Sequence, residues 1–123
     1  MENTNNIENM EEARALATFL GVNVEDLTEI DHVYGPAFRH DGCDYLVLTD
    51  EEADEAFYRE IDLYVEEMID RHIPNFLLSY FDVDSYKEDL ANYEDRGRIL
   101  ATYDGVENFV EGEDDDFYIY RVS

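Results

Sequence analysis

The stretch YLVLTDEEADEAFYREIDLYVEEMIDRH, residues 45–72, decides the fold because it predicts a buried strand that runs directly into a long acidic helix. Apolar residues at its start indicate the strand. Thr49, followed three residues later by Glu52, has the pattern of a capping box at a helix N-terminus. Acidic residues fill the first turn, where the helix dipole favours negative charge. Pro74 predicts the end of the helix at about Ile73, because the residue before a proline is pushed out of the α region.

The predicted helix has two distinct faces. One face follows the 3.6-residue period and is expected to meet a core; it consists of Ala53, Phe57, Ile61, Tyr64, Val65, Met68 and His72. The opposite face carries charges spaced by three or four residues: Glu52, Glu55, Arg59, Asp62, Glu66 and Asp70. We call the five carboxylates of this face (Glu52, Glu55, Asp62, Glu66 and Asp70) the acidic stripe.

The chain before this stretch predicts a helix and a hairpin. Apolar residues at helical spacing indicate a helix over 7–20, and Gly21 is placed to end it in the left-handed conformation. A short helical turn is expected within 22–30. Asp41-Gly42 lies between two apolar segments, which predicts a hairpin of strands 37–39 and 43–48. The second of these strands is apolar on both sides at its end, so we expect it to be central in the sheet.

The chain after the long helix predicts a short helix over 75–81 that packs against the core, then a helix capped by Asp82 or Asp84 that ends near Tyr93. The period then changes from 3.6 to about 2, which indicates strands over 99–103, 106–110 and 117–122. These elements predict an α+β fold: an antiparallel sheet, made of the N-terminal hairpin and a C-terminal meander, that is covered by about three to four helices. The helices between the hairpin and the meander are expected to cover one face of this sheet. We expect a single domain over 1–123.

The charge of the chain sets it apart from ordinary globular proteins. Its net charge is −25, with 45% hydrophobic residues and a single lysine, Lys87. The hydrophobic content predicts a folded core. The charge has the wrong sign for direct binding to nucleic acid or to anionic membranes, and it favours contact with a basic protein. With one cysteine, no apolar run of about 20 residues and no signal-peptide pattern, the sequence predicts a cytoplasmic protein. It leaves the oligomeric state open.

Motifs for catalysis and metal binding are absent from the sequence. There is no phosphate-binding glycine loop, no nucleophile elbow and no cysteine pair. Cys43 is predicted to be a small core-facing residue, and His72 a partly buried structural histidine. Asp82, Asp84 and the acidic run 111–116 are carboxylates of the kind that hard cations prefer, but their spacing does not match an EF-hand loop. We therefore expect no catalytic residue, no metal and no cofactor. A carboxylate-metal enzyme or cation-binding module remains a minor alternative.

Acidic stripes are usually only solvated helix faces. Here the like charges of Asp62, Glu66 and Asp70 each lie four residues apart, and each such pair disfavours the helix by about 0.2–0.5 kcal/mol. Such charges would be retained if the helix imitates a nucleic-acid backbone, in which phosphates form a regular row. The stripe forms a row of carboxylates about 27 Å long from its first to its last residue. The alternative is a halophilic or structural domain that has no such partner, because a hydrated acidic surface keeps a protein soluble in high salt.

Two segments carry a resemblance to a group of proteins. DYLVLTDEEADEA, residues 44–56, and DRGRILATYDGVENFV with FYIYRVS, within 95–123, resemble small acidic proteins of phages and other mobile elements. By size and charge alone, the chain is also similar to DNA-mimic anti-restriction and anti-CRISPR inhibitors. The resemblance implies a non-enzymatic inhibitor of a basic, nucleic-acid-binding host-defence protein. The acidic stripe would be its partner-binding surface.

Overall fold

The computed structural model describes residues 7–112 and 114–123. In these residues the chain forms four α-helices: α1 (Met10–Leu20), α2 (Asp50–His72), α3 (Val83–Tyr93) and α4 (Arg96–Leu100). It also forms five strands: β1 (Thr28–Ile30), β2 (Ala37–His40), β3 (Cys43–Thr49), β4 (Glu107–Val110) and β5 (Phe117–Arg121). Short 3-10 segments lie at Val24–Asp26 and Asn75–Tyr80. The fold is α+β, as the sequence predicts.

The strands make one antiparallel sheet in the order β1-β2-β3-β5-β4. The predicted hairpin is present, and its two turn residues, Asp41 (φ 53°) and Gly42 (φ 80°), both lie in the left-handed region. That pair of conformations matches the right-handed twist of the strands on either side. Strand β3 occupies the middle of the sheet, which confirms the expectation from its apolar sequence. The edge strand β1 lies in a segment where the sequence predicts only a helical turn.

Helices cover both faces of the sheet: α2 and α4, which lie between the hairpin and strand β4, cover one face, as the sequence predicts, and α1 covers the other. Alternation along β3 separates two cores, because successive side chains of a strand point to opposite faces. Val47 packs in a cluster with Phe38, Leu16 and other residues of α1. Leu46 and Leu48 pack in a second cluster that contains residues of α2 and α4. Helix α1 therefore lies on one side of β3 and α2 on the other.

The buried side of α2 changes along its length. Ala53 and Ala56 pack in the same cluster as Leu46 and Leu48 of the sheet. Ile61, Val65 and Ile69, farther along the helix, pack with residues of α3. At 1.5 Å per residue, 23 residues span about 34 Å, and the seven-residue strand β3 spans about 24 Å. The C-terminal half of α2 therefore extends past the sheet and is covered by α3.

This change of partner corrects the predicted core face of α2. Tyr64 and His72, both expected to face the core, are exposed, and Met68 is half-buried. Ala56, which was not expected there, is buried. A single stripe of 3.6-residue period describes a helix with one packing partner, whereas α2 packs first on the sheet and then on another helix.

The connection from α2 to α3 also differs from the prediction. The segment Asn75–Tyr80 contains no buried residue, although its apolar composition predicts packing against the core. Phe81, the residue that follows, does pack: its ring lies 5.6 Å from that of Tyr86. Asp82 caps α3, as expected, because its Oδ1 accepts a hydrogen bond from the Ser85 N–H at 3.0 Å.

The predicted strand over 99–103 is replaced by the end of α4 and a turn. Asp95 caps this helix by accepting the Arg98 N–H at 2.9 Å, a signal that outweighs the strand preference of the residues that follow. Gly97 is buried where backbones meet closely, since a Cβ there would lie 2.9 Å from Glu107 N and from Gly105 O. The meander therefore contributes two strands rather than three.

Candidate acidic interface

The acidic stripe begins at the junction of β3 and α2. Glu52 accepts the Thr49 N–H at 3.0 Å through Oε1, and Thr49 Oγ1 accepts the Glu52 N–H at 3.2 Å. The predicted capping box is therefore present. The half-buried carboxylate of Glu52 is used to hold the helix start, so it is only partly available to a partner.

The middle residue of the stripe also has a structural contact. Asp62 Oδ1 lies 3.2 Å from Lys87 Nζ of α3, and both side chains are half-buried at this helix–helix contact. Asp62 is placed there because α3 covers the adjacent side of α2. Its carboxylate is paired within the chain, which differs from the sequence-based interpretation of a free surface charge.

The other three residues of the stripe form its open part. Glu55, Glu66 and Asp70 are exposed, and in the described residues none of them has a hydrogen bond or an ion pair through its side chain. At 1.5 Å per residue they span about 22 Å along α2. We call these three residues the free carboxylates. They are the part of the predicted site that is open to solvent.

A groove runs beside the stripe, between α2 and the loop that joins β1 to β2. Exposed Val33 and Leu63 contribute apolar surface to it, and Glu55 lies at its edge. The full lining is Val33, Tyr34, Glu52, Glu55, Ala56, Arg59, Glu60 and Leu63. The groove combines apolar walls with carboxylates, and Arg59 places one of the chain's own cations among them.

The loop side of the groove is held by Tyr34, which sequence reasoning did not identify. Its hydroxyl donates a hydrogen bond to Glu60 Oε2, and its N–H donates to His32 Nδ1 at 3.1 Å. Burial and the bond to Glu60 raise the pKa of Tyr34 to about 12. Burial also lowers the pKa of His32, which keeps Nδ1 available as an acceptor. No periodic pattern in 31–36 indicates these contacts.

A second charged cluster surrounds Arg96, at the other side of the start of α2. Its guanidinium contacts Asp50 Oδ1 at 2.8 Å, Asp54 Oδ1 at 3.1 Å and Glu107 Oε1 at 2.8 Å. Burial lowers the pKa of Arg96, but the hydrogen bonds to Glu107 and Asp50 outweigh it and raise the pKa above its ordinary value. Tyr120 donates its hydroxyl to the same Glu107 at 2.6 Å. This cluster joins α2, α4 and the sheet, so its carboxylates are structural.

Acidic residues outside α2 are divided between the two sides of the sheet. Glu88 and Asp89 are exposed on α3, next to α2. Glu12 comes from α1, on the other face, yet lies close enough to Glu52 and Glu29 for their charges to raise its pKa, after burial as the larger cause. The loop residues 114–116 are exposed between β4 and β5. Negative charge therefore continues from α2 onto α3 and, at the start of α2, towards α1.

The remaining candidate residues have ordinary surroundings. Cys43 is half-buried, and its Sγ lies 3.1 Å from Arg121 Nη2, which differs from the expected core position. In the described residues, no group of three His, Cys, Asp or Glu side chains is arranged to hold a metal ion. Within the same residues, no helix has the length and apolar character needed to cross a bilayer. Residue 113 of the acidic run lies outside the described residues.

No family model, curated protein or solved structure matches the chain.

Proposed function

We propose that this protein is a non-enzymatic acidic interaction protein that occupies a basic, nucleic-acid-binding protein, as phage-type nucleic-acid mimics do. The observation that supports the proposal is the set of free carboxylates, Glu55, Glu66 and Asp70. They lie along about 22 Å of one helix and, among the described residues, none of them forms an ion pair with a basic side chain. Fixed carboxylates on a helix are preorganised for a basic surface, which speeds association and selects the partner.

The density of charge supports a surface larger than α2 alone. One strand of B-DNA would present roughly six phosphates over 22 Å, and α2 supplies three free carboxylates over this length. Exposed Asp84, Glu88 and Asp89 on the neighbouring α3 add charge. We therefore infer that α2 and α3 form the interface together, and that α1, on the other face of the sheet, lies outside its centre.

The test compares two triple variants that remove the same total charge. The first neutralises the free carboxylates (Glu55→Gln, Glu66→Gln, Asp70→Asn). The control neutralises three other exposed carboxylates (Glu25→Gln, Asp31→Asn, Glu111→Gln). Asp62 and Glu52 are left unchanged because their side chains hold α3 and the helix start, so that a loss of binding reports the surface and not the fold.

Tagged protein is used to capture partners from nuclease-treated lysate of the native host, at about 0.1 M and about 0.5 M salt, where screening is weak and strong. The wild type and the control variant are expected to recover one basic nucleic-acid-binding protein, which added DNA or RNA displaces. The first variant is expected to lose it. Equal recovery of that protein by both variants would contradict the proposal.

A halophilic or structural acidic domain is the second candidate, and one observation favours it. Exposed carboxylates also occur far from α2 in sequence, at Glu25, at Asp41 in the hairpin turn and at 114–116. A general solvating surface explains charge of this kind without a partner. It predicts that both triple variants behave alike and that captured basic proteins form an unspecific mixture lost at high salt.

A further inference from the structure

The segment between α2 and α3 carries an exposed group of large apolar side chains, Phe76, Leu77, Leu78 and Tyr80, which we call the apolar tip. Phe76 is 75% exposed and Tyr80 85% exposed, and none of the four is buried. Single exposed apolar residues are normal on soluble proteins, whereas contiguous ones mark interaction surfaces. The tip does not contribute to the chain's own core, because the packing at this end is made by the next residue, Phe81, on Tyr86.

Exposed carboxylates flank the apolar tip on both sides in the chain, and among the described residues they form no ion pair. Asp70 precedes it in the last turns of α2, and Asp84 and Glu88 follow it in α3; all three are exposed. The two cations of this region, Arg71 and Lys87, each lie within ion-pair distance of a different carboxylate. Arg71 pairs with Glu67 at 3.9 Å, and Lys87 pairs with Asp62 at 3.2 Å. A surface that covers the tip therefore has to bring positive charge to these carboxylates.

This charge selects the kind of occupant. A second copy of the chain would bring another −25 and the same acidic rim, so that like charges would meet around the contact. An anionic lipid surface would repel the same carboxylates. A cationic protein segment with an apolar face fits both features, because its apolar side chains cover the tip while its lysines and arginines pair with the rim.

We propose that the apolar tip is the anchor of the partner interface and that it binds a cationic amphipathic protein segment. The inference rests on the proposed function and adds a site to it. The free carboxylates attract and orient a basic partner, and the apolar tip supplies the desolvated contact that holds it. Aromatic residues at the centre of an interface commonly carry a large share of its affinity, while charges at the rim act mainly on association.

The experiment uses two synthetic peptide probes of equal positive charge. One has lysine and arginine on one helical face and leucine on the other; in the second, every leucine is replaced by serine. Each is titrated into the full-length ¹⁵N-labelled protein at about 0.1 M salt, where screening between exposed charges is moderate. We expect the leucine peptide to bind more than about tenfold tighter and to shift the backbone amide signals of 75–80.

Two substitutions at similarly exposed tyrosines distinguish a specific effect of the apolar tip on binding from a general effect of surface hydrophobicity. Tyr80→Ser removes a tip residue that is 85% exposed, and Tyr93→Ser removes a tyrosine that is 87% exposed at the other end of α3. In the Tyr80→Ser variant, the leucine peptide is expected to bind only slightly tighter than the serine peptide. In the Tyr93→Ser variant, the difference in affinity between the two peptides is expected to stay as in the wild type. Both variants should bind the serine peptide as the wild type does, since the free carboxylates are unchanged.

Each contrary result has a distinct meaning. If both peptides bind equally and the signals of 75–80 do not move, the tip inference is overturned while the acidic interface stands. If neither peptide binds, the proposed function fails as well. Sedimentation that shows a dimer of the wild type but not of Tyr80→Ser would overturn the inference in favour of a second copy. Flotation with phosphatidylcholine vesicles that Tyr80→Ser abolishes would overturn it in favour of a lipid surface.

Discussion

Arg96 is the residue at which three parts of the fold meet. It binds two carboxylates from the first turns of α2 and Glu107 of β4, and its guanidinium lies 4.6 Å above the ring of Tyr118. Its side chain is only 17% exposed. In a chain with eight basic residues, a cation in this position offsets the repulsion of neighbouring carboxylates and fixes where α2 starts relative to the sheet.

Arg96→Ala is expected to lower the free energy of unfolding by about 2 kcal/mol, because charged hydrogen bonds are lost and Glu107 keeps fewer partners. Asp50 and Asp54 are largely exposed and can be rehydrated, which limits the loss. Urea unfolding provides the measurement. Arg98→Ala is the control, since Arg98 is exposed and its pair with Glu94 is worth less than about 0.5 kcal/mol. Equal effects of the two variants would show that Arg96 is an ordinary surface cation.

A second prediction at the scale of one residue concerns Tyr34 and the dependence of the free energy of unfolding on pH. Its folded-state pKa of about 12 lies above the ordinary 10.0, so its hydroxyl stabilises the fold fully below pH 10, and the contribution is lost as the pH rises through 12. Tyr34→Phe should therefore lower the free energy of unfolding by about 1 kcal/mol at pH 8, and the difference from wild type should shrink above pH 10.

The measurement for Tyr34 is urea unfolding at pH 8, 10 and 11.5. Tyr58→Phe is the control, because Tyr58 is exposed on α2 and, in the described residues, its hydroxyl makes no hydrogen bond. A difference between Tyr34→Phe and wild type that stays constant across this pH range would contradict the assigned pKa.

At the scale of elements, α2 determines where the acidic surface lies. Its start is specified by the capping box and by β3, which leads into it without a linker. Its direction past the sheet brings its second half against α3 and exposes Glu66 and Asp70. The tip that follows is exposed for the same reason, since the helix has already left the sheet where α2 ends.

Thr49→Ala is expected to lower the free energy of unfolding by about 1 kcal/mol, because the N–H of Glu52 loses its acceptor at the helix start. Thermal unfolding followed by circular dichroism gives the measurement. Thr18→Ala is the control: Thr18 is exposed within α1, where alanine is the better helix former, so no loss is expected. A Thr49→Ala protein as stable as wild type would mean that packing alone sets the start of α2.

At the scale of the whole molecule, the net charge of −25 acts against compactness. Lowering ionic strength from about 0.15 M to about 0.01 M lengthens the Debye length from about 8 Å to about 30 Å, so that more carboxylates repel one another. The two cores on either side of the sheet must offset this repulsion. Their contribution is set by apolar burial, which depends far less on moderate salt.

Raising NaCl from about 0.01 M to about 0.15 M is therefore expected to raise the melting temperature by about 4 °C, which corresponds to about 1 kcal/mol for a chain of this size. The triple variant that neutralises the free carboxylates should show a smaller increase. Magnesium chloride at matched ionic strength is the control for a specific cation site. A stoichiometric stabilisation by magnesium beyond the effect of NaCl would contradict our interpretation that the carboxylates act as general charge, and would favour the cation-binding alternative.

Local signals in the sequence determined much of the fold. Asp41-Gly42 specified the hairpin turn, Gly21 the end of α1, and Thr49 with Glu52 the start of α2, because each signal acts between residues a few positions apart. The run of apolar residues before Thr49 also indicated the central strand. The sequence alone likewise determined the sign and excess of charge, and hence which classes of partner it favours.

Tertiary structure decided which of these charges are free. The pair of Asp62 with Lys87 and the three ion pairs of Arg96 join residues that lie 11 to 46 positions apart, for which no local pattern exists. The exposure of Tyr64, His72 and the apolar tip followed from the point at which α2 leaves the sheet. The placement of α1 on the opposite face followed from β3 being central, since a central strand has two apolar faces to cover. Burial and pairing depend on the elements that pack together, and these are fixed only when the whole chain is folded.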